Sequence, residues 1–382
     1  MRLVTIGPEE QGVTQMGDAI WQAKKEQSDP PQAAVLFLPF EQPAHYDLWL
    51  SWLERELECP VIGATHGSAA FTERGFSTKG AVLGIFFGKP GEVQTRLVTG
   101  LSGKLDHALE QSLRSIEFRR GAHHAVFALF DPMACSGDAL VKSMRGLLQP
   151  ACQLFGGAAG DGWQLKGPLV FGQGRAQQGA LALLAFNFGT ELIGAVRHGW
   201  TPIESQTHVV TSASGNEVRR IDERPAVDVY SEVLSRHHLL KVGDDPIKVF
   251  ALHSLGMKSI FSHEIKVRTP MRLGPGGSVI CAGDIPESTE IFFMKGGNDA
   301  MIEAARELCG TVRAAKANPS GAIVVDCAGR YLQLGARYGE QIQAFVGDRS
   351  VPTLGFTSYG EVAKFRGQIE GFHNTTAVMS MF

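Results

Sequence analysis

The residue pair best suited to ligand chemistry is His373 with Asn374, in FHNTT near the end of the chain. A neutral imidazole ligates a metal such as haem iron, or hydrogen-bonds a ligand carboxylate, and the neighbouring amide offers both donor and acceptor. The same histidine would equally tie a terminal strand to a nearby loop. His198, in RHGW, can point an imidazole into an apolar pocket walled by Trp200, or Trp200 is simply core. Tyr359, Gly360 and Glu361 end a glycine turn, where the carboxylate would hold an ammonium group and the phenol would stack on a ligand. Arg330 and Arg268 are candidate carboxylate clamps because guanidinium binds such groups through two parallel donors, with a surface arginine as the ordinary alternative, above all for Arg268. Asp326 and Cys327 close an apolar strand that would offer them to a pocket. His66 and His263 would serve as ligands or lie on the surface, and the pairs His123/His124 and His237/His238 lack the spacing that places two imidazoles on one face.

Three copies of one strand-helix-strand unit must position these groups. They read AAVLFLPFEQPAHYDLWLSWLERELECPVIGATHG from Ala33, HAVFALFDPMACSGDALVKSMRGLLQPACQLFGGAAG from His124 and GAIVVDCAGRYLQLGARYGEQIQAFVGDRSVPTLGFTSYG from Gly321. In each, an apolar strand, a polar loop and an amphipathic helix precede a second apolar strand expected to end at Gly63, Gly156 or Gly355, with another glycine four or five residues on. Unlike segments separate the copies, which excludes a solenoid and points to duplication within a layered α/β fold. Glycine after a strand allows close backbone approach, so the three turns could converge on one pocket.

Between the units, residues 1–32 read as a strand and a helix. KGPLVFGQGRAQQGALALLAFN reads as a hairpin whose return strand starts at Ala180. The stretch from Glu191 to Asp222 runs strand after strand, which favours a mixed or largely antiparallel sheet. The expected fold is therefore α/β in the mixed α+β sense, with layered mixed sheets covered by helices and two domains, 33–221 and 222–382. With 382 residues, 44% of them apolar, the chain buries a substantial core. A formal charge of −3 with scattered Lys and Arg carries no nucleic-acid footprint, and no apolar run is long enough to span a bilayer. Six dispersed cysteines without a CxxC pair suit a reducing, cytoplasmic setting as free core thiols. No GxSxG elbow, P-loop, HExxH or GxGxxG fingerprint is present.

Seven ordered blocks, LFGGAAGDGW, VRHGWTPI, VVTSASGNEVRRIDERPAVDVYSEVL, SVICAGDIP, GAIVVDCAGR, PTLGFTSYGE and FHNTT, resemble the FIST family, with its paired N-terminal and C-terminal domains. The resemblance implies a small-ligand sensor in signal transduction. One branch of stand-alone FIST proteins comprises haem-binding nitric-oxide sensors that regulate a partner histidine kinase. The chain departs from the pattern at Pro286, Glu287 and Ser288, where relatives carry a glycine, and in the irregular turn GATHG. With no kinase, receiver or cyclase segment in the sequence, output is expected to pass through a separate protein. The favoured expectation is haem with His373 as the iron ligand. The alternatives are a sensor of an amino acid or other small metabolite, and an amide or ester hydrolase built from Cys327, His373 and Glu361.

Overall fold

The computed structural model describes residues 1–9, 16–41, 46–101, 105–258 and 264–382. One plan is written three times along the chain. The first repeat runs β1 (Arg2–Glu9), α1 (Gly17–Glu26), β2 (Pro31–Leu38), α2 (Tyr46–Leu57), β3 (Val61–Thr65), a small hairpin β4 (Ala70–Thr72) and β5 (Gly75–Ser77), and β6 (Ala81–Phe87). The second runs β7 (Val93–Thr99), α3 (Leu105–Arg114), β8 (His123–Phe130), α4 (Gly137–Leu147), β9 (Gln153–Ala158), the hairpin β10 (Val170–Gly172) and β11 (Arg175–Gln177), and β12 (Ala180–Phe188).

The third opens with β13 (Ile193–Arg197) and is then interrupted by residues 198–297. This insert holds β14 (Trp200–Pro202), β15 (His208–Ser214), β16 (Glu217–Ile221), β17 (Arg224–Pro225), α5 (Ala226–Arg236), α6 (Pro246–Ala251), β18 (Leu255–Lys258), β19 (Ile265–Arg268), β20 (Pro270–Leu273), β21 (Val279–Cys281) and β22 (Glu290–Gly296). The repeat resumes with α7 (Asn298–Ala315), β23 (Ala322–Cys327), α8 (Ala328–Leu334), α9 (Tyr338–Val346), β24 (Thr353–Ser358), the hairpin β25 (Glu361–Lys364) and β26 (Gly371–His373), and β27 (Ala377–Met381).

Local chemistry accounts for these elements. β2, β8 and β23 are apolar runs buried on both faces, as expected of strands covered by helices on one side and a core on the other. The helix α4 starts at Ser136, whose hydroxyl accepts from the Ala139 N–H at 3.1 Å, and it buries Leu140, Val141 and Met144.

Each repeat builds a six-stranded sheet with one parallel pair, and each sheet is completed by a neighbour. In the orders β1-β6-β2-β3-β10-β11, β7-β12-β8-β9-β25-β26 and β13-β27-β23-β24-β4-β5, the last two strands are the hairpin of another repeat. The first repeat sends its hairpin to the third, the third to the second and the second to the first, closing a ring. The sequence places the return strand of the second hairpin at Ala180; instead β11 returns it, and β12 crosses to the sheet of its own repeat because β8 and β7 flank it there.

Two groups of equivalent residues mark the axis of this ring. Phe86, Phe186 and Phe382 form a triangle with ring centroids 5.5, 6.0 and 6.1 Å apart, inside a core drawn from all three sheets. Where the chain crosses from each sheet into the next, three equivalent bonds form a cycle: Gly67 N–H to Thr357 O at 2.7 Å, Gly160 N–H to Thr65 O at 2.9 Å and Tyr359 N–H to Ala158 O at 3.2 Å.

Gly63, Gly156 and Gly355 do not end their strands as expected. They lie inside β3, β9 and β24, opposite Leu36, Ala128 and Val324 in the parallel pairs. A Cβ at Gly63 or Gly156 would overlap the carbonyl oxygen of Leu36 or Ala128, and one at Gly355 would enter the Phe71 ring. Gly156 also has φ of 152°, which disfavours any side chain. The three turns do converge, but on one another: a Cβ at Gly160 would run into the Gly67 backbone, and Tyr359 packs on Gly67.

The insert forms a nine-stranded sheet, β19-β18-β22-β15-β16-β21-β20, with β14 added on β22 and β17 on β16. Arg268 of β19 pins it to the scaffold. Its buried guanidinium pairs with Asp138 of α4 at 2.9 Å and donates to Phe372 O at 2.8 Å and Asp284 O at 2.9 Å. The surface position expected for Arg268 is thus corrected, because the carboxylate and two carbonyls replace its hydration shell.

Candidate functional site

Where the insert leaves and rejoins the third repeat, a cavity of about 530 Å³ opens. Its walls are the turn from β13 into β14 (Val196 to Thr201), one side of α7 (Ala300, Glu303, Ala304, Glu307), Glu264 and Ile265 at the start of β19, and Ile369, His373 and Thr376 around β26. That size is typical of a small-molecule site. Apolar and polar side chains both line it, and its ionic groups are three glutamates and Arg197, which lies 4.0 Å from Glu307.

Two histidines and a tryptophan singled out by sequence meet here, and their hydrogen bonds separate their roles. The Trp200 N–H donates to His198 Nδ1 at 2.9 Å, so this nitrogen is used within the protein. Burial, then Arg330 and Arg197, push this imidazole down to about 4. His373 differs. Its Nε2 is buried with no hydrogen-bond partner. In the tautomer protonated at Nδ1, Nε2 carries a lone pair. Burial, reinforced by Lys266 and Arg268, holds the ring well below the ordinary histidine range, so it is neutral at physiological pH.

The other sequence candidates lie elsewhere. Arg330 is fully buried beneath the cavity. Its Nε lies 2.9 Å from Asp326 Oδ1, and it donates to the carbonyls of His198 at 2.5 Å and Met301 at 3.0 Å and to Gln341 Oε1 at 2.6 Å. Those donors hold the cavity wall and are not offered to a ligand. Burial lifts Asp326 to about 6, with Arg330 opposing that shift, while Tyr338 and Gln341 donate to its second oxygen at 3.1 and 2.7 Å. Glu361 faces His373 across the β25–β26 pair, yet its carboxyl accepts from Ser358 Oγ at 2.6 Å and the Thr376 N–H at 3.3 Å. Burial pushes Glu361 well above the carboxylate range, and burial followed by Glu361 pushes the Cys327 thiol up, so neither is a charged ligand partner or an activated nucleophile. The Asn374 carbonyl takes the Thr375 and Thr376 hydroxyls, and its buried side-chain Oδ1 has no partner.

Tyr359 belongs to the axial turn. Its hydroxyl donates to Asp161 at 2.9 Å and accepts the Trp163 N–H, and a Cβ at Gly360 would enter the Phe372 ring. His66 closes β3, buried, with neither ring nitrogen partnered, and burial pushes it down to about 3. His124 bonds the Arg119 carbonyl and His237 bonds Glu204. His263 lies outside the described residues. All six cysteines are free, and five are buried.

Sequence reasoning missed Glu303, Glu307, Ala300 and Ala304. They form a polar-to-small stripe beside the buried face of α7, and only the docked insert turns that stripe into a wall. Among the described residues no cluster of three or more His, Cys, Asp or Glu could hold a metal ion.

A threefold-repeated mixed α/β scaffold with a cavity at the root of an insert defines a two-part ligand-binding protein. The chain belongs to the FIST family: residues 32–224 match the FIST N domain and residues 226–364 the FIST C domain. FIST domains are sensor domains of signal transduction that bind small ligands. The two matches meet within the insert, next to β17, so the cavity takes walls from both. No curated protein matches the chain. Among the described residues no helix is long and apolar enough to cross a membrane.

Proposed function

We propose that the cavity at His373 is the sensing site, that its ligand is haem held through His373 Nε2, and that nitric oxide is the signal passed to a partner histidine kinase. One observation carries this reading: a buried imidazole, neutral at working pH, whose Nε2 is unpartnered beside a cavity. Neutrality spares a proton from being lost on ligation. Haem would supply an iron that binds a diatomic gas. The residues at the iron end fit, since His373 stands ready and Ile265, Ile369 and Ala304 provide apolar walls.

Because Nε2 is itself closed to water, a ligand reaching it displaces part of the wall. The wall includes His198, whose carbonyl Arg330 joins to Met301 of α7 and Gln341 of α9. Occupancy would therefore bias the helices packed on the third sheet, which supports a signalling output.

A second reading is favoured by the rim, where Glu303 and Glu307 outnumber the single lining arginine, Arg197. That charge suits an uncharged or cationic metabolite better than the two carboxylates of haem.

Absorbance tests the choice. Protein from haem-replete cells is expected to show a Soret band that His373→Ala abolishes or shifts and His198→Ala retains. Nitric oxide should then change the autophosphorylation of the partner kinase. A colourless protein after haem reconstitution, stabilised instead by an amino-acid pool, would select the metabolite reading.

A further inference from the structure

The mechanism above leaves one buried polar atom of the cavity unexplained. Trp200 is 4% exposed, its indole Nε1 has no hydrogen-bond partner, and the residue lines the same cavity as His373. An indole N–H is a donor only, and leaving it buried and unpaired forfeits the hydration it had in the unfolded chain. The native fold had a way to avoid that cost, because β14 pairs with β22 through its backbone and the indole could have been replaced by an apolar ring of similar shape. Its neighbours Met294 and Met301 are apolar and offer it no oxygen.

The two orphans are complementary in kind. His373 Nε2 offers an electron pair, and Trp200 Nε1 offers a hydrogen. His198, in the same lining, takes the Trp200 backbone N–H on its ring. No other cavity-lining side chain holds a buried unpartnered polar atom among the described residues.

We infer that recognition is two-point: the ligand presents an electron-pair acceptor to His373 Nε2 and a carbonyl or carboxylate oxygen to Trp200 Nε1. This rests on the cavity being the ligand site. The same oxygen chemistry comes from two sources, the carboxylate of a haem propionate or the carboxylate of a free amino acid. With haem the electron-pair acceptor is iron; with an amino acid it is the ammonium hydrogen. A single unpaired donor favours one oxygen at this point over a bulk apolar group, so a ligand lacking it should bind more weakly.

The test follows the indole ¹⁵N–¹H signals of the full chain, which has five tryptophans, with the Trp200 signal assigned by its loss in Trp200→Phe. Haem is titrated in one arm and an equimolar mixture of the L-amino acids in the other. The expected result is that one probe moves the Trp200 signal downfield, and that Trp200→Phe weakens that probe's binding about fivefold to twentyfold. His373→Ala, run in parallel, separates the two claims. Binding that needs His373 but leaves the Trp200 signal in place, with affinity in Trp200→Phe within twofold of wild type, overturns the two-point inference and keeps the site. Binding indifferent to both substitutions removes the site as well. If neither probe moves the signal, the inference fails for this oxygen chemistry, and that result needs only the wild-type protein.

Discussion

The second and third repeats run through the same strands and helices, yet only the third carries the candidate site. In the second, residues 100–104 alone join β7 to α3; in the third, residues 198–297 separate β13 from α7. The second helix, α3, packs on α4 and β7 and closes its layer. Its counterpart α7 instead leaves Ala300, Glu303, Ala304 and Glu307 beside a space that the insert roofs with β19. The difference teaches that the asymmetric insertion supplies a cavity lined by a buried histidine, which the scaffold's own hollows of about 560 and 500 Å³ lack. The scaffold's own turns cannot do so, because the cyclic bonds of Gly67, Gly160 and Tyr359 and their close packing fill the axis.

If that contrast is right, the most damaging substitution should strike the shared scaffold. Gly156→Ala forces a Cβ into the Ala128 carbonyl at a φ only glycine tolerates, and a loss of at least about 4 kcal/mol, or no folded protein, is expected. Gly146→Ala, on the open face of α4 in the same repeat, should instead stabilise by about 0.5–1 kcal/mol. Urea unfolding of the pair measures the contrast; two similar values would break the repeated close-approach argument.

A somewhat smaller effect, confined to the third repeat, is expected from Arg330→Met. It leaves Asp326 buried without its cation and frees the His198 carbonyl, at a cost of about 3–5 kcal/mol. Ligand binding should weaken with it, since the wall loses its tether. A variant that keeps wild-type stability but loses binding would show instead that Arg330 meets the ligand directly.

Acid provides the smallest lever and compares the first repeat with the third. His66 and His198 are held neutral, at about 3 and about 4 against 6.5 when unfolded. The unfolded chain therefore binds more protons below pH 6.5, and stability present above that pH falls as pH drops toward those values. At pH 5 each histidine accounts for about 2 kcal/mol of the loss. His66→Gln should remove about that much of the difference between urea unfolding at pH 7 and pH 5. An unchanged difference would mean that the His66 ring finds water or a partner in solution.

Much of the scaffold was legible because its signals are local. Apolar runs such as AVFALF and AIVVDC report strands buried on both faces, and the spacing of Leu50, Leu53 and Leu57 reports a helix with one buried side. Repetition of the unit at Ala33, His124 and Gly321 was visible for the same reason. The repeat proved longer at both ends, since the leading strand and helix and the trailing hairpin lack a shared residue pattern. The site was legible only in its residue types: His373, His198 and Trp200 come together, while Arg330, Cys327, Glu361 and Tyr359 serve the packed interior.

By itself, then, the amino-acid order determined the mixed α/β class, the strand-helix-strand units, the free thiols and the histidines able to bind a ligand. Tertiary structure decided the cyclic hairpin exchange, the burial of Arg268 and Arg330 against carboxylates, and which imidazole keeps an open nitrogen. Periodicity is set by neighbours within a turn or a strand pair, whereas a hydrogen bond from Arg330 to the His198 carbonyl, or an unmet one at Trp200, depends on groups brought together from distant parts of the chain.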